Sequence, residues 1–431
     1  MILKQLTSLT IAKVVTLLIA ILTQIFLAWQ LGAGGLGSYA ISIMYASLLS
    51  IVFVVGCDVA SSYLLASGYF TVSESVLYTA IYGGIGSVTA IIAGVLLLQF
   101  PIPLFSKAGN TELYFSLVSI PATLFSAVYI QLFSAIQDFK LYARLTVIQA
   151  VLLSLLNILF VFVFSMGVRG ALLALIISGF IVICLALYKF KEKYDLKLVR
   201  IKRKKLMKMF KYGLKYYLGR LSNTTNTHIG VLILGLFMPK ESVGVFSLAL
   251  QLISRIMIIP ETMHVLLAPK AASSKGGEAE LIARSSRFTA LICAILLILI
   301  YLLSEPFINL IYPSQFSEAI FIIKILTIGV FFRCVSKIYV PYFLGINSPG
   351  IASLSVFLGL VVNIFAYALL VPNHGLVGAS IGAVLGYTLS SFLLYIFFIK
   401  RTGLKFQDCL LLNISDWRLV ANKVRALLRK S

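Results

Sequence analysis

Eight charged side chains lie inside long apolar runs of the sequence: Lys13, Asp58, Arg220, Arg255, Glu261, Lys324, Arg333 and Lys337. A lone charge at mid-helix in a bilayer costs about 2.5–3.5 kcal/mol on insertion scales, so it normally faces a partner or a wet cavity. Six of the eight are cations. Lys and Arg give charge-assisted hydrogen bonds to phosphate oxygens, Arg through a planar fork. A chamber lined by them attracts an anion; one built for a cation would carry carboxylates instead. Arg255 sits near the middle of its run, where it can least reach an interface. Arg333 is next, with Lys337 one turn away on the same face. Lys13 and Asp58 fall near one end of neighbouring runs and could neutralise each other. Arg220 and Lys324 could snorkel to the headgroups.

Glu261 follows Pro260, and His264 is one turn on. That pair fits either a proton-coupling site or a proline kink with a solvent-facing carboxylate. Asp58 and His228 complete the candidate ion-coupling residues, His228 because imidazole titrates near neutrality. Gln24, Gln30, Asn223, Asn226 and Gln251 could hydrogen-bond a hydroxyl-rich solute or join helices to each other. No Gly-x-x-x-x-Gly-Lys-Ser/Thr, His-Glu-x-x-His or Gly-x-Ser-x-Gly occurs, so nucleotide-hydrolysing, zinc-protease and serine-hydrolase chemistry find no signature. Cys57, Cys184, Cys293, Cys334 and Cys409 have no metal-like spacing and read as small hydrophobes. No metal or cofactor is expected.

The elements that position these residues must be helices. The 431 residues are 60% hydrophobic and 12% charged, against about one quarter charged in ordinary globular domains. Mean hydropathy is +1.03. Backbone polar groups in lipid must be satisfied internally, and these runs are too long and continuous for barrel strands. Twelve spans are expected, at 8–31, 39–63, 76–98, 113–135, 146–165, 170–189, 216–238, 243–267, 286–304, 318–343, 349–371 and 376–399. The first is too long for a signal-peptide core. Twenty-seven Lys and Arg fall on the side of the termini, and only Lys107, Arg169 and Lys240 on the other. That asymmetry places both termini in the cytoplasm. It also accounts for the net charge of +22, which reads as topology and attraction to anionic lipids rather than a nucleic-acid footprint.

A repeat organises the spans. Met166-Gly-Val-Arg-Gly170-Ala171 and His374-Gly-Leu-Val-Gly378-Ala379 are 208 residues apart. Gly37 and Gly244 open spans 2 and 8, at 207; Asn157 and Asn363 lie in spans 5 and 11, at 206. Six spans per copy makes the copies parallel, related by a pseudo-twofold along the membrane normal. The expected parts are a bundle over 1–188, a basic amphipathic linker over 189–215, a second bundle over 216–400 and a basic tail over 401–431. In the tail, Trp417, Val420, Val424, Leu427 and Leu428 recur at helical spacing among basic residues, as in a helix lying on a membrane surface.

The chain resembles the multidrug/oligosaccharidyl-lipid/polysaccharide exporter superfamily, in its polysaccharide-transporter branch of Wzx-like O-antigen flippases. The likeness covers nearly the whole length. It rests on AWQLGAGGLGSYAISI, on its copy LILGLFMPKESVGVFSLALQL, on PETMHVLLAPKAA, and on an Asn followed by Gly-x-x-Gly-Ala in each half. The resemblance implies an all-α fold of two six-helix bundles in the bacterial cytoplasmic (inner) membrane. It implies flipping of an undecaprenyl-diphosphate-linked oligosaccharide to the outer leaflet by alternating access, driven by an H+ or Na+ gradient rather than ATP. It also implies the polysaccharide polymerase and chain-length machinery as partners. The diphosphate would meet Arg255, Arg333, Lys337, Lys13, Arg220 and Lys324. The rivals are a multidrug/cation antiporter of the same superfamily and a membrane glycan polymerase; short, weakly charged outer loops disfavour the polymerase.

Overall fold

The computed structural model describes residues 2–197, 199–273, 279–346 and 348–410, and their side chains other than those of 2–10, 265, 266, 268–273, 349, 406 and 410. The tail expected to be amphipathic from Trp417 to Leu428 lies outside the described residues. The described chain is helical throughout. The α-helices are α1 (Ile2–Val54), α2 (Cys57–Ala66), α3 (Val72–Leu97), α4 (Pro103–Ala108), α5 (Asn110–Ala135), α6 (Phe139–Asn157) and α7 (Gly167–Tyr194). They continue as α8 (Arg203–Phe237), α9 (Lys240–Ser254), α10 (Ile258–Ser273), α11 (Ala279–Ile311), α12 (Glu318–Ser336), α13 (Val340–Gly345), α14 (Pro349–Thr402) and α15 (Phe406–Leu410).

Among the described residues nine segments are long and apolar enough to cross a membrane, and the chain is a multi-pass membrane protein. Two of the nine are double. At 1.5 Å per residue, α1 and α14 would each reach about 80 Å, far beyond a hydrocarbon core of about 30 Å. Each is two helices joined at a non-helical glycine, Gly32 (φ 64°) in α1 and Gly375 (φ 51°) in α14. α8 is absent from the nine because Arg220, Asn223, Thr224, Thr225, Asn226, Thr227 and His228 crowd its middle. The expected total of twelve therefore turns on α8 crossing as a polar span.

The chain packs as two compact units, Met1–Leu252 with Pro306–Ile322 and Tyr367–Ala379, and Ile253–Glu305 with Ile323–Ala366 and Ser380–Ser431. In the first unit α5 packs on α7, and α1 on α6 and α3. Lipid tails are as apolar as the side chains, so this packing relies on close fit rather than burial from water. Phe133 and Phe190 stack at 4.1 Å amid Leu65, Val76, Tyr129 and Val182.

The repeated Gly-x-x-Gly-Ala phrase has a backbone cause. Its first glycine takes a left-handed conformation in both copies, Gly167 at φ 57° and Gly375 at φ 51°, which L side chains adopt at a penalty. The chain turns there, and the second glycine lets the new helix start against the old one. A Cβ on Gly170 would sit 2.8 Å from the Phe160 carbonyl oxygen, and one on Gly378 would overlap that of Leu370.

At the basic end of the first unit, α7 continues to Tyr194 and α8 begins at Arg203. The start of α8 docks on protein: Met209 is fully buried in a cluster with Cys57, Leu64, Phe70 and Tyr78. Glu74 closes a capping box with Thr71 at the N-terminus of α3, and Lys205 donates to its carboxylate oxygens at 2.5 and 2.6 Å. Asp138 caps α6 by accepting from the Leu141 N–H at 3.2 Å. It also accepts from the Tyr194 hydroxyl at 2.9 Å and pairs with Lys193.

In the second unit a ring cluster of Tyr339, Tyr342, Tyr395 and Phe398 forms the core. Arg287 is buried beside it, 1% exposed. It donates to the Asp408 carbonyl and pairs with Glu280 at 3.3 Å, which fastens α15 to α11.

The Asp138 cap makes stability pH-dependent. Burial raises its carboxyl pKa, but the bonds from Lys193, Tyr194 and the Leu141 N–H outweigh burial and hold it below the ordinary carboxylate value. A group depressed on folding stabilises above its unfolded pKa and loses that contribution as pH falls through the folded one. Asp138→Asn should therefore lower stability at pH 7 by about 0.5–1 kcal/mol. The gap to the parent should close on acidification, read as the difference in thermal midpoint in detergent.

Candidate functional site

The first unit holds a break in the middle of an apolar run. α1 ends at Val54; Val55 (φ 42°) and Gly56 (φ 70°) are both left-handed, and α2 restarts at Cys57. A β-branched residue at positive φ is a strained outlier, of the kind that clusters at working sites. The break frees carbonyls that lipid cannot satisfy. Two tyrosines take them: the Tyr82 hydroxyl donates to the Val55 oxygen at 3.0 Å and Tyr217 to that of Val52 at 3.3 Å. Gly56 lies against Gly213 of α8, 2.8 Å from an added Cβ to the Gly213 oxygen.

That close approach sets the ion pair. Arg220 follows Gly213 by two helical turns, on the same face. Asp58 stands in the first turn of α2, where the helix dipole favours a negative charge. The two side chains form an ion pair, with Asp58 16% and Arg220 43% exposed. They line a cavity of about 270 Å3 with Ser47, Ser50, Ser119, Thr123, Gln131 and Thr224. The expected alternatives thus resolve differently: Asp58 pairs with Arg220 rather than Lys13, and Arg220 turns to Asp58 rather than snorkelling.

The other first-unit candidates divide. Gln24 is buried and its Nε2 donates to the Leu248 oxygen at 3.4 Å, which makes it a link between helices. Asn226 is buried; Lys13 and His228 are half-buried; Gln30, Asn223 and Gln251 are exposed.

The second unit gathers the remaining cations around another interruption. A 3-10 turn, Arg255–Met257, separates α9 from α10. Pro260 has no N–H to offer the Ile256 carbonyl one turn back, so the α-ladder cannot continue there. Arg255 therefore lies where regular helix is lost, followed by Glu261 (exposed) and His264 (half-buried) on α10. From α12, Arg333 stacks its guanidinium on Tyr387 at 4.7 Å; Tyr387 is 2% exposed. Lys337 lies within the electrostatic reach of both Glu261 and Arg333, and His264 within that of Lys337. Lys324 stands elsewhere, paired with Glu305 at 3.2 Å. Five of the six second-unit candidates thus share the α9/α10 interruption and the facing α12.

Sequence reasoning missed the Val55–Gly56 break, the Tyr82 and Tyr217 caps, Gln131, Thr224 and the Tyr387 platform. Val-Val-Gly-Cys-Asp was the available signal, a glycine and an acid interrupting an apolar run. The tyrosines gave none, because ring partners depend on contacts between distant helices.

Residues 36–321 match the model of a family described as polysaccharide biosynthesis protein. An uncharacterized membrane protein of Methanocaldococcus jannaschii is 25% identical over 234 residues, covering 53% of this chain and 44% of that protein. The protein named probable low-salt glycan biosynthesis flippase of Haloferax volcanii is 21% identical over 206 residues, covering 46% and 43%. The chain thus spans less than half the length of these curated relatives. Among solved structures, the Vibrio cholerae MATE transporter VcmN superposes with a TM-score of 0.66 at 18% identity, covering 94% of this chain and 98% of that one. The lipid II flippase MurJ in an inward closed conformation gives 0.70 at 14%, covering 94% and 89%. The chain shares the fold of these two transporters, and it belongs to the polysaccharide biosynthesis protein family.

The Asp58–Arg220 pair generates a test. Arg220→Ala leaves Asp58 without its partner, whereas Asp58→Asn with Arg220→Gln removes both charges. The single variant should lose about 1–3 kcal/mol, discounted for the exposed guanidinium, and the double variant less than half of that. Thermal unfolding in detergent reads both; equal losses would mean the pair is incidental.

Proposed function

From its membership of the polysaccharide biosynthesis protein family, we propose that the chain flips a polyprenyl-diphosphate-linked oligosaccharide, of the undecaprenyl type, across the cytoplasmic membrane by alternating access. The termini lie in the cytoplasm and the two repeats rock about their shared axis. The observation that carries this reading is the cationic cluster at the α9/α10 interruption. Arg333 and Lys337 stand within electrostatic reach there, with Glu261 as their neighbouring carboxylate. A guanidinium braced on a buried ring is oriented in advance for phosphate, so less freedom is lost on binding.

The cavity beside Asp58 and Arg220 mixes hydroxyls and the Gln131 amide with apolar walls, a lining that suits sugars, since its charges already neutralise each other and its hydrogen-bonding groups do not. Ion coupling falls to Asp58, Glu261 or His264 at the two interruptions, or to His228 in the middle of α8. A cation antiporter of the same superfamily is the rival reading. It would favour carboxylates over cations in the second cluster, the reverse of the composition there.

Cells that depend on this protein for surface glycan supply the test. Arg255→Ala, Arg333→Ala and Lys337→Ala should each cut surface glycan about tenfold or more at equal protein level. Arg255→Lys should retain part of it. Lipid-linked glycan should build up in the cytoplasmic leaflet. Normal surface glycan in all three alanine variants would overturn the diphosphate reading.

A further inference from the structure

The end of the first unit where Lys107, Arg169 and Lys240 lie is held together by contacts between the two sequence repeats. The Trp29 indole N–H donates to the Ile311 carbonyl at 2.7 Å. The Ala33 N–H, beside the Gly32 kink, donates to Gln315 Oε1 at 3.0 Å. Lys107 Nζ donates to the carbonyls of Gly235 (2.8 Å), Leu236 (3.3 Å) and Met238 (3.0 Å), so a cation of the first repeat closes the C-terminus of α8 in the second. Between them Gly37 and Gly244 meet backbone to backbone. A Cβ on Gly37 would overlap the Lys240 carbonyl, and one on Gly244 would overlap the Ala33 carbonyl.

Three features distinguish this junction from ordinary packing. It joins repeat to repeat, and Gly37 and Gly244 are equivalent positions, 207 residues apart. Residues nearest a twofold axis are the ones that meet their own counterparts. The acceptors facing Trp29 and Lys107 are backbone carbonyls, so these bonds can break and reform without repacking a core. Nor does a side chain stand between the two glycines, so the seal is as narrow as two helices allow.

We propose that this junction is the closed gate on the side of the membrane opposite the termini, and that the Gly37–Gly244 contact is its seal. The proposal rests on the alternating-access reading and its orientation. A methyl group on either glycine wedges the seal and shifts the protein toward the state open on that side. Loss of the Lys107 or Trp29 bond weakens the latch without wedging it.

Cysteine labelling tests the gate with no substrate present. Ile41, buried one turn from Gly37 on the same face, is replaced by Cys in a chain whose five native cysteines are Ser. Whole cells are treated with a membrane-impermeant maleimide. Expected is faint labelling in the parent and a rise of about tenfold with Gly37→Ala or Gly244→Ala. Lys107→Met and Trp29→Phe should give smaller rises. Labelling at the parent level in all four variants, at equal protein amounts, would overturn the gate. Should the glycine variants fail to accumulate, the Lys107→Met and Trp29→Phe results decide alone. A flat result strikes the gate only, since the glycan reading is judged on surface glycan.

Discussion

A membrane interior has no water to satisfy a broken helix, and that constraint governs where this protein can place chemistry. Each interruption of an apolar run must find its own hydrogen-bond partners. The Val55–Gly56 break does so through Tyr82 and Tyr217. The second interruption instead retains a 3-10 turn, Arg255–Met257, a tighter ladder that leaves fewer groups unmatched. Charges follow the same logic. Asp58 stands in the first turn of the restarted helix, where exposed N–H groups compensate a carboxylate. Arg255 opens the 3-10 turn. The interruptions and the charges are thus one feature: a helix that must be broken provides the polar surroundings in which a charge can be held.

The interrupted segments, Ile51 to Asp58 and Arg255 to Glu261, lie in the expected second and eighth spans but not in register: at the offset of 207, Val55 answers to Thr262, beyond the Arg255–Met257 turn. The two interruptions differ in kind. One break uses left-handed residues and carries an acid; the other uses a proline and carries a cation. What stays the same is the small-residue framework. Gly167 and Gly375 both turn the chain with positive φ, and Gly37 and Gly244 touch. Glycine is retained where backbone geometry leaves no room for a Cβ, and side chains vary where it does.

These differences decide what was legible in the sequence. The all-helical membrane fold followed from run length and composition, because lipid leaves few other solutions. The repeat was legible through its glycines, which record close backbone approaches in residue type. The charged candidates were visible because charge is rare in apolar runs, yet their partners were not. Lys13 and Arg220 are both plausible neighbours of Asp58 by depth. Only the Gly56–Gly213 approach, a contact between residues 157 positions apart, brings α8 close enough for Arg220 to win. Lys324, a candidate intramembrane cation, has Glu305 of the preceding α-helix as its partner, which its own run of sequence does not reveal. Depth is written along the chain; azimuth around a helix, which selects the partner, is set by packing.

The two clusters also differ in a way that bears on the proposed mechanism. Asp58 and Arg220 are mutually compensated, so their cavity has little net field but many hydrogen-bonding groups. Arg333 and Lys337 oppose each other across one turn, and Glu261 offsets only part of their charge. A pair of like charges held together is destabilising unless an anion arrives, whereas a compensated pair is stable when empty. An uncharged polyol would gain from the first setting and a diphosphate from the second, because each ligand is drawn to the term its site leaves unsatisfied. An arriving anion also weakens the repulsion between Arg333, in the last turn of α12, and Lys337, just past its end. Binding energy is then available to change how that helix packs, which a carrier needs if occupancy is to drive its movement.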